Sequence, residues 1–242
     1  MFHDAHDVSY TTAFPNSENP LRDASVWHHF DITCTEVMTE VIGGVHVAHG
    51  TQTGSGTYAP YDDSNCYLSG FPANHYIAGT VWRDPTIAST PNMEVELLLR
   101  WSDTNPLRST IYGDTYSDGY EININQNSDY FQVGRFKGAL LQAGTTPPAP
   151  QTGDLFEAQI ETSGANAVIQ CWWTPIATGV RTRHINYTDT APVLLGQPGI
   201  GFYMSNAGGG FNNKLGFKLK RYRRFESYRF IVIKWNHYNQ CK

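Results

Sequence analysis

The sequence predicts an all-β protein built as an antiparallel sandwich of two sheets. Three observations support this fold class: many short runs alternate apolar and polar residues, turn residues separate these runs at short intervals, and no run has the period of an amphipathic helix. The chain has 242 residues, including 22 Gly and 13 Pro, and 13% of it is aromatic. This length suits one large β domain, and no repeat typical of a solenoid or propeller is present.

The first third of the chain opens with a polar, irregular segment in which Trp27 and Phe30 are expected to be the first aromatic anchors. A long segment rich in Gly, Ser, Thr and Tyr, Thr51–Asn65, has no apolar period and is predicted to be a surface loop. The strands predicted around it are Asp31–Met38, Gly44–His49, Cys66–Phe71 and Tyr76–Arg83.

The clearest strand of the first half is Met93–Trp101, with the sequence MEVELLLRW. Alternation places one set of side chains in the core and the other on a partly wet face. A helix is the rival interpretation for so short a run, but the flanking turn residues favour a strand. The core set is Val95, Leu97 and Leu99, and the opposite set is Glu94, Glu96, Leu98 and Arg100.

The second half predicts a series of hairpins, giving about ten to thirteen strands in the whole chain. A glycine-rich connection, Ser205–Asn213, joins two of them, and Gly199-Ile200-Gly201 is expected to permit close packing against a neighbouring strand. The predicted strands are Gly119–Asn125, Tyr130–Phe136, Leu155–Thr162, Val168–Trp173, Arg181–Thr188, Gly199–Tyr203 and Leu215–Tyr222. Tyr228–Trp235 is either one more strand or an arm that packs elsewhere.

Charge is distributed unevenly along the chain. Residues 214–242 contain nine Lys and Arg residues and one acidic residue, Glu226, for a net charge of +8. The preceding residues carry −13, and the whole chain carries −5.

We therefore predict a sandwich over residues 1–222 and a basic C-terminal arm or extra strand over residues 223–242. The opposite charges predict contacts with a second copy or another acidic neighbour through residues 214–242. Nucleic acid is not expected, because no nucleic-acid-binding motif surrounds the short basic run.

The sequence shows neither an apolar run long enough to cross a bilayer nor the pattern of a signal peptide at its start. This predicts display on a virion or cell surface, or a secreted chain that has been trimmed.

The four cysteines have no CxxC spacing, so a zinc site of the usual kind is not expected, and buried thiols are favoured over disulfides.

Several segments, in their order along the chain, resemble concanavalin A-like, laminin-G-like jelly-roll domains. Phe14–Trp27 (FPNSENPLRDASVW) is similar to the opening of such domains, and SDGYEININ resembles their GY-x-I-x-I strand. GDLFEAQIETSGANAVIQCWW and GQPGIGFYMSNAGGGFNNKLGFKL resemble a later hairpin and the terminus. The resemblance covers residues 10–222 and implies a jelly-roll fold. It implies no particular activity, and the basic arm is not part of it.

Two catalytic residue patterns are found in enzymes with this fold, and the sequence contains neither of them in full. A retaining glucanase needs a pair of carboxylates about 5–5.5 Å apart. Glu94 and Glu96 are the nearest pair, but Leu97, Leu98 and Leu99 follow where a third acid is expected. Tyr130–Phe136 (YFQVGRF) resembles a strand of alginate-type lyases, yet the Q-[IV]-H partner motif is missing and Phe136 replaces a tyrosine. We predict no catalytic residues.

The remaining hypothesis is recognition. Rings offer flat apolar faces to sugars, while amides and acids bind hydroxyl groups. Three loops, Tyr58–Asp63, Tyr112–Tyr120 and Asn206–Asn213, contain this mixture. The predicted binding residues are Tyr58, Tyr61, Asp62, Tyr112, Tyr116, Asp118, Phe211 and Asn212.

We therefore predict a non-catalytic carbohydrate-binding or adhesion module that binds a glycan or cell-surface polysaccharide. The alternatives are a structural protein of a phage capsid or tail and, after that, a polysaccharide lyase or glycoside hydrolase. No cofactor is expected. Acid-bearing loops, Asp62–Asp63 and Asp114 with Asp118, could bind Ca²⁺ together with backbone carbonyls.

Overall fold

The computed structural model describes residues 9–15, 19–21, 26–29, 35–51, 63–87, 92–102, 109–110, 113–114, 118–136, 140–204, 214–218 and 233–234. These ranges contain eighteen β-strands and no α-helix. In chain order the strands are β1 (Ser9–Tyr10), β2 (Trp27–His28), β3 (Val37–Ile42), β4 (Val45–Gly50), β5 (Asp63–Leu68), β6 (His75–Arg83), β7 (Met93–Ser102), β8 (Ser109–Thr110), β9 (Gly113–Asp114), β10 (Asp118–Asn125), β11 (Phe131–Arg135), β12 (Leu140–Ala143), β13 (Leu155–Ser163), β14 (Asn166–Thr174), β15 (Thr182–Asp189), β16 (Gln197–Met204), β17 (Leu215–Lys218) and β18 (Ile233–Lys234).

The strands form two large antiparallel sheets. The nine-stranded sheet has the order β15-β14-β13-β6-β17-β4-β3, and β18 joins it by pairing with β1 and β6. The seven-stranded sheet has the order β12-β11-β10-β7-β16-β5-β2, while β8 and β9 pair separately. The predicted two-sheet, all-β sandwich is confirmed.

The order of the strands shows how the chain is wound. Between β4 and β7, consecutive strands alternate between the two sheets. Much later in the chain, β16 inserts between β5 and β7, and β17 inserts between β4 and β6. Early and late segments are therefore neighbours in both sheets, which is the winding of a jelly roll.

The core lies between the inner faces of the two sheets. Val95, Leu97 and Leu99 of β7 are fully buried there, as predicted, opposite Phe156 and Ile160 of β13. Burying a side chain of this size contributes roughly 1.5–3 kcal/mol, so this continuous apolar layer is the main source of stability. Cys66 and Cys171 are buried thiols, one in each sheet.

Several strand boundaries differ from the sequence prediction. The strand predicted at Asp31–Met38 begins at Val37 in the structure, and β12 was not predicted. The strand predicted at Cys66–Phe71 begins earlier, at Asp63, and ends at Leu68. Its first residues, Asp63, Ser64 and Asn65, are polar yet buried, so apolar alternation could not reveal them.

The basic arm is described only at β18. Ile233 pairs with Tyr10 of β1, and Lys234 pairs with Ser9 of β1 and Tyr76 of β6. The other residues from 219 onward lie outside the described part of the chain. The division into a sandwich and an arm at residue 222 therefore stays a prediction.

Candidate functional site

The seven-stranded sheet has one face in the core and one face lined with polar groups. Alternation in β7 turns Glu94 and Glu96 away from the core, and the register of the neighbouring strands aligns other polar residues beside them. We call this surface the polar face. Its main members are Asp63 and Asn65 of β5, Glu94 and Glu96 of β7, Glu121 and Asn123 of β10, Gln132 of β11, and Tyr203 of β16.

Glu96 lies at the centre of the polar face. Asn123 is its direct partner on β10, and Gly201 is its direct partner on β16. A methyl group at Gly201 would overlap with Oε2 of Glu96, so the glycine leaves the space that this carboxylate occupies. One carboxylate oxygen each from Asp63, Glu96 and Glu121 lies within 4.8 Å of the other two. Three strands thus bring three acids to one point.

Glu94 and Glu96 are only 7% and 2% exposed. The prediction that they lie on a partly wet face is wrong for these two residues, because β7 is central in the sheet and the Tyr130 side chain packs onto Glu94. Burial raises the pKa of Glu94 to about 8, and the nearby Asp63 also raises it. Burial, followed by the charges of Glu121, Asp63 and Glu94, raises the pKa of Glu96 well above its ordinary value.

A hydrogen-bond network fixes one end of the polar face. The Tyr130 hydroxyl donates to Oε1 of Glu94 and accepts from Nδ2 of Asn92 at 2.8 Å. Nδ2 of Asn125 donates to Oδ1 of Asn92 at 3.1 Å and to Oδ2 of Asp129 at 2.8 Å. Burial and the adjacent Glu94 raise the pKa of Tyr130, so its hydroxyl stays protonated as a donor.

The segment that resembles an alginate-lyase strand has a structural explanation for two of its residues. Nη2 of Arg135 lies 3.3 Å from Oδ2 of Asp189 and also donates to the backbone oxygen of Ala191. Phe136 packs against Trp101 with ring centroids 4.6 Å apart. Gln132, from the same segment, lies on the polar face as the cross-strand partner of Asn123, and Phe136 lies on the same side of the sheet in a cluster with Tyr67, Leu98 and Trp101.

Seven of the eight binding residues predicted from the sequence lie outside the described residues: Tyr58, Tyr61, Asp62, Tyr112, Tyr116, Phe211 and Asn212. Asp118 is described: it begins β10, is half-buried, and its Oδ1 accepts from the backbone N–H of Gly119 at 2.9 Å. These eight residues stay predictions as a binding set.

The described strands do show where the three predicted loops join the sheet. Asp63 at the start of β5 pairs with Tyr203 near the end of β16, so loops Tyr58–Asp63 and Asn206–Asn213 join the same end of the sheet. Asp118 pairs with Ser102 at the opposite end. Of the described residues that flank these loops, Asp63 and Tyr203 therefore lie at the end of the sheet that carries Glu94, and Asp118 lies at the other end.

Sequence reasoning missed the grouping of Asp63, Glu96, Glu121 and Asn123. Alternation in the two strong strands did place Glu96 and Glu121 on faces opposite to the core. It could not show that these strands are neighbours, nor that Asp63 begins a third strand nearby, because both facts depend on long-range pairing.

The described strands define an antiparallel jelly-roll sandwich of two sheets, the fold that the sequence resemblance implied. No protein-family model matches the sequence, and no curated protein matches it. Among the described residues there is no helix long and apolar enough to cross a membrane.

Three solved structures illustrate the likeness. The carbohydrate-binding module CBM66 from Bacillus subtilis is 14% identical with a TM-score of 0.42, over 74% of this chain and 92% of that one. The CBM2 module of the evolved Dit of Lactobacillus casei BL23 phage J-1 is 13% identical with a TM-score of 0.44, over 96% and 90%. Lectin I from Ulex europaeus is 10% identical with a TM-score of 0.46, over 95% of each chain. These values are too low to carry an inference about ligand or activity.

Proposed function

We propose that this protein is a non-catalytic carbohydrate-binding module whose glycan contacts the polar face and the loops at its border. The observation that carries the proposal is the set of half-buried groups on this face. Tyr130 and Tyr203 supply ring surfaces, while Gln132 and Glu121 supply an amide and a carboxylate. Partly exposed rings beside fixed hydrogen-bonding groups are what a hydroxyl-rich ligand requires.

The outward face of the nine-stranded sheet offers a less suitable platform. Trp172 is half-buried on that face, but the guanidinium carbon of Arg181 lies 4.0 Å from the centroid of its ring. Arg181 is also bonded to Glu157 through both carboxylate oxygens, at 3.0 and 3.1 Å. A sugar would have to displace this cation from the ring, so the polar face is the better candidate.

The test is a glycan array followed by titration of any glycan that binds. Gln132→Ala should weaken binding roughly 5- to 30-fold, the effect of losing one or two hydrogen bonds. Gln170→Ala is the matched control, since Gln170 projects from the outward face of the other sheet, where it donates to Oδ1 of Asn186 at 2.9 Å. Tyr61→Ala and Tyr116→Ala test the predicted loops at the two ends of the sheet.

An array on which no glycan binds would count against the proposal, as would equal effects of Gln132→Ala and Gln170→Ala. Cleavage of alginate or a β-glucan by the purified protein would replace it with an enzymatic function.

A second candidate function is a surface protein of a virion. The supporting observation is the opposite charge of the sandwich and the segment from Lys214 onward, which favours attachment to an acidic neighbour.

A further inference from the structure

One edge of β6 is shared by two strands that lie in line with each other. The opposite edge of β6 pairs with β13. On the shared edge, Leu215–Lys218 of β17 pairs with residues 80–83, and Lys234 of β18 pairs with Tyr76. Both strands run antiparallel to β6, so β18 lies where β17 would arrive if it continued. We call residues 76–79 of β6, on this side, the acceptor edge.

The register shows which segment of the chain suits the acceptor edge. Continued three residues past its end, the register of β17 would set Arg221 opposite Ile77. Ile77 is fully buried in the core, and directly opposed residues lie on the same side of a sheet. A charged residue directed toward the core is costly. The register of β18 sets Ile233 at this position instead, so the acceptor edge favours β18 over a longer β17.

The attachment of β18 is short and its connection to β17 is long. The described pairings of β18 are one with Tyr76 and two with β1, at Ser9 and Tyr10. The connection, residues 219–232, can extend over roughly 46–50 Å. The gap that it must close within one copy, from residue 80 to residue 76 of β6, is only about 13 Å. The connection therefore permits β18 to reach the acceptor edge of a second copy.

Charge favours the same contact between copies. The segment that contains β18, residues 214–242, carries +8, whereas the preceding residues carry −13. A β18 that pairs with another copy brings its basic segment onto the acidic sandwich of that copy. The charges that attract within one molecule therefore also attract between two.

We propose that β18 exchanges between two copies of this chain, each copy placing its β18 on the acceptor edge of the other. The exchanged strand keeps the pairings with β6 and β1 that it makes within one copy, so the two contacts are equivalent and the dimer is closed. The uneven charge of the sequence predicts a contact between copies, and the acceptor edge is the surface that receives it. The proposal does not depend on glycan binding.

Exchange is measured best by trapping it. A flexible connection holds β18 near its own acceptor edge at an effective concentration in the millimolar range, so exchanged dimers are a minority in dilute solution. A disulfide across an exchanged pair accumulates them. Opposed residues of antiparallel strands have Cα atoms about 4.5–5.5 Å apart, which a disulfide can span.

The test uses the full chain with Cys34 and Cys241 changed to serine, which leaves two buried thiols. Tyr76→Cys and Lys234→Cys are introduced into separate copies, which are mixed and oxidised with glutathione disulfide. We expect a covalent dimer that contains one copy of each variant, and its rate of formation should rise with protein concentration. Electrophoresis without reductant and mass spectrometry measure the product.

Gln170→Cys mixed with Lys234→Cys is the matched control, because Gln170 is half-buried on the outward face of the same sheet, as Tyr76 is. It should cross-link at least about tenfold more slowly, since β18 pairs with β6 and not with β14. Adding Ile233→Asp to the Lys234→Cys copy should slow the specific reaction by a similar factor, because it places a charge opposite Ile77.

A second pair keeps the test intact if Tyr76→Cys fails to fold. Ser9 is exposed and pairs with Lys234, so Ser9→Cys mixed with Lys234→Cys should also form the mixed dimer. Equal rates for these pairs and the Gln170→Cys control would overturn the proposal. An undiminished rate with Ile233→Asp would overturn it as well, because the cross-link would then not report strand pairing.

Discussion

His75 and Arg100 are buried polar residues that meet at one end of the sandwich. Nδ1 of His75 lies 2.8 Å from the backbone oxygen of Pro72, and Nε2 lies 3.3 Å from the backbone nitrogen of Arg100. The first contact requires a proton on Nδ1, which donates to the carbonyl. The second requires an unprotonated Nε2, which accepts from the backbone N–H of Arg100. The histidine is therefore held in one neutral tautomer.

Arg100 joins three segments through its side chain. Nη1 donates to the backbone oxygen of Val193 at 2.7 Å, Nε donates to that of Ala73 at 2.9 Å, and Nη2 donates to Oγ1 of Thr162 at 2.6 Å. Its φ of 47° is in the left-handed region, and the register of β7 shifts on both sides of the sheet beside it. The prediction that Arg100 lies on the same face as Glu94 and Glu96 is therefore wrong: the bulge interrupts the alternation, and the guanidinium bonds to Thr162 of the nine-stranded sheet.

A pH dependence follows at His75. Burial, aided by the charge of Arg100, lowers its pKa from 6.5 to about 4, although the bond to Pro72 acts in the opposite direction. Between these values the unfolded chain binds a proton that the folded chain does not. Above pH 6.5 neutral His75 makes its full contribution to the free energy of unfolding. As the pH falls from 6.5 toward 4, this free energy decreases by about 3 kcal/mol.

The measurement is urea denaturation of the wild type and His75→Gln from pH 8 to pH 4.5. The variant should be less stable above pH 7 by a constant amount, because it loses the bonds of the ring. Below pH 6.5 the two curves should converge as the wild type loses its histidine contribution. Curves that stay parallel through this range would show that His75 does not cause the dependence.

Strand β16 shows how glycines set the spacing of an element. It lies between β5 and β7, and its Gly199-Ile200-Gly201 segment was expected to permit close packing. The structure supports this expectation: a methyl group at Gly199 would lie 2.5 Å from the backbone oxygen of Cys66 and 3.0 Å from Cα of Tyr67. Each of these distances is too short for a carbon atom beside backbone, so a larger residue would push β5 away.

The two glycines should therefore respond differently to substitution. Gly199→Ala should destabilise the protein by about 1–3 kcal/mol, since the obstructing atoms belong to the backbone. Gly201→Ala should cost less, because the added methyl group meets the end of the Glu96 side chain, which can move more easily than backbone. Chemical denaturation of the wild type and the two variants measures both losses. Equal losses of stability in the two variants would contradict this account.

At the scale of the whole molecule, the acidic sandwich and the basic C-terminal segment are chemically distinct. The backbone of β18 pairs at three positions, with Ser9, Tyr10 and Tyr76. These pairings attach part of the basic segment to β1 and to the inner strand β6 of the nine-stranded sheet. The core between the sheets does not depend on them, because it is formed by the long strands.

Deletion of residues 223–242 should accordingly leave the sandwich folded and abolish assembly with copies or neighbours. Light scattering of the full chain and the truncated chain measures assembly, and circular dichroism measures the fold. Because opposite charges would drive the contact, high salt should weaken assembly of the full chain as well. A truncated chain that assembles as the full chain does, or a full chain that is always monomeric, would contradict the prediction.

Several strands could be predicted because their residues alternate strongly. Met93–Trp101 and Leu155–Thr162 each appear in the structure within one residue of their predicted ends. Strand β5 was misplaced because its polar first residues are buried by partners that come from elsewhere in the chain. The eight predicted binding residues remain untested, and the acidic cluster was not predicted at all.

The sequence by itself determined the fold class, most of the strands and the faces on which their side chains lie, because alternation is a local property of each strand. Only the tertiary structure decided which strands are neighbours. The pairing of β7 with β10 and β16, and of β16 with β5, brings Asp63, Glu96 and Glu121 together from distant parts of the chain. The physical reason is that cross-strand register, which no local pattern encodes, sets the distance between those carboxylates.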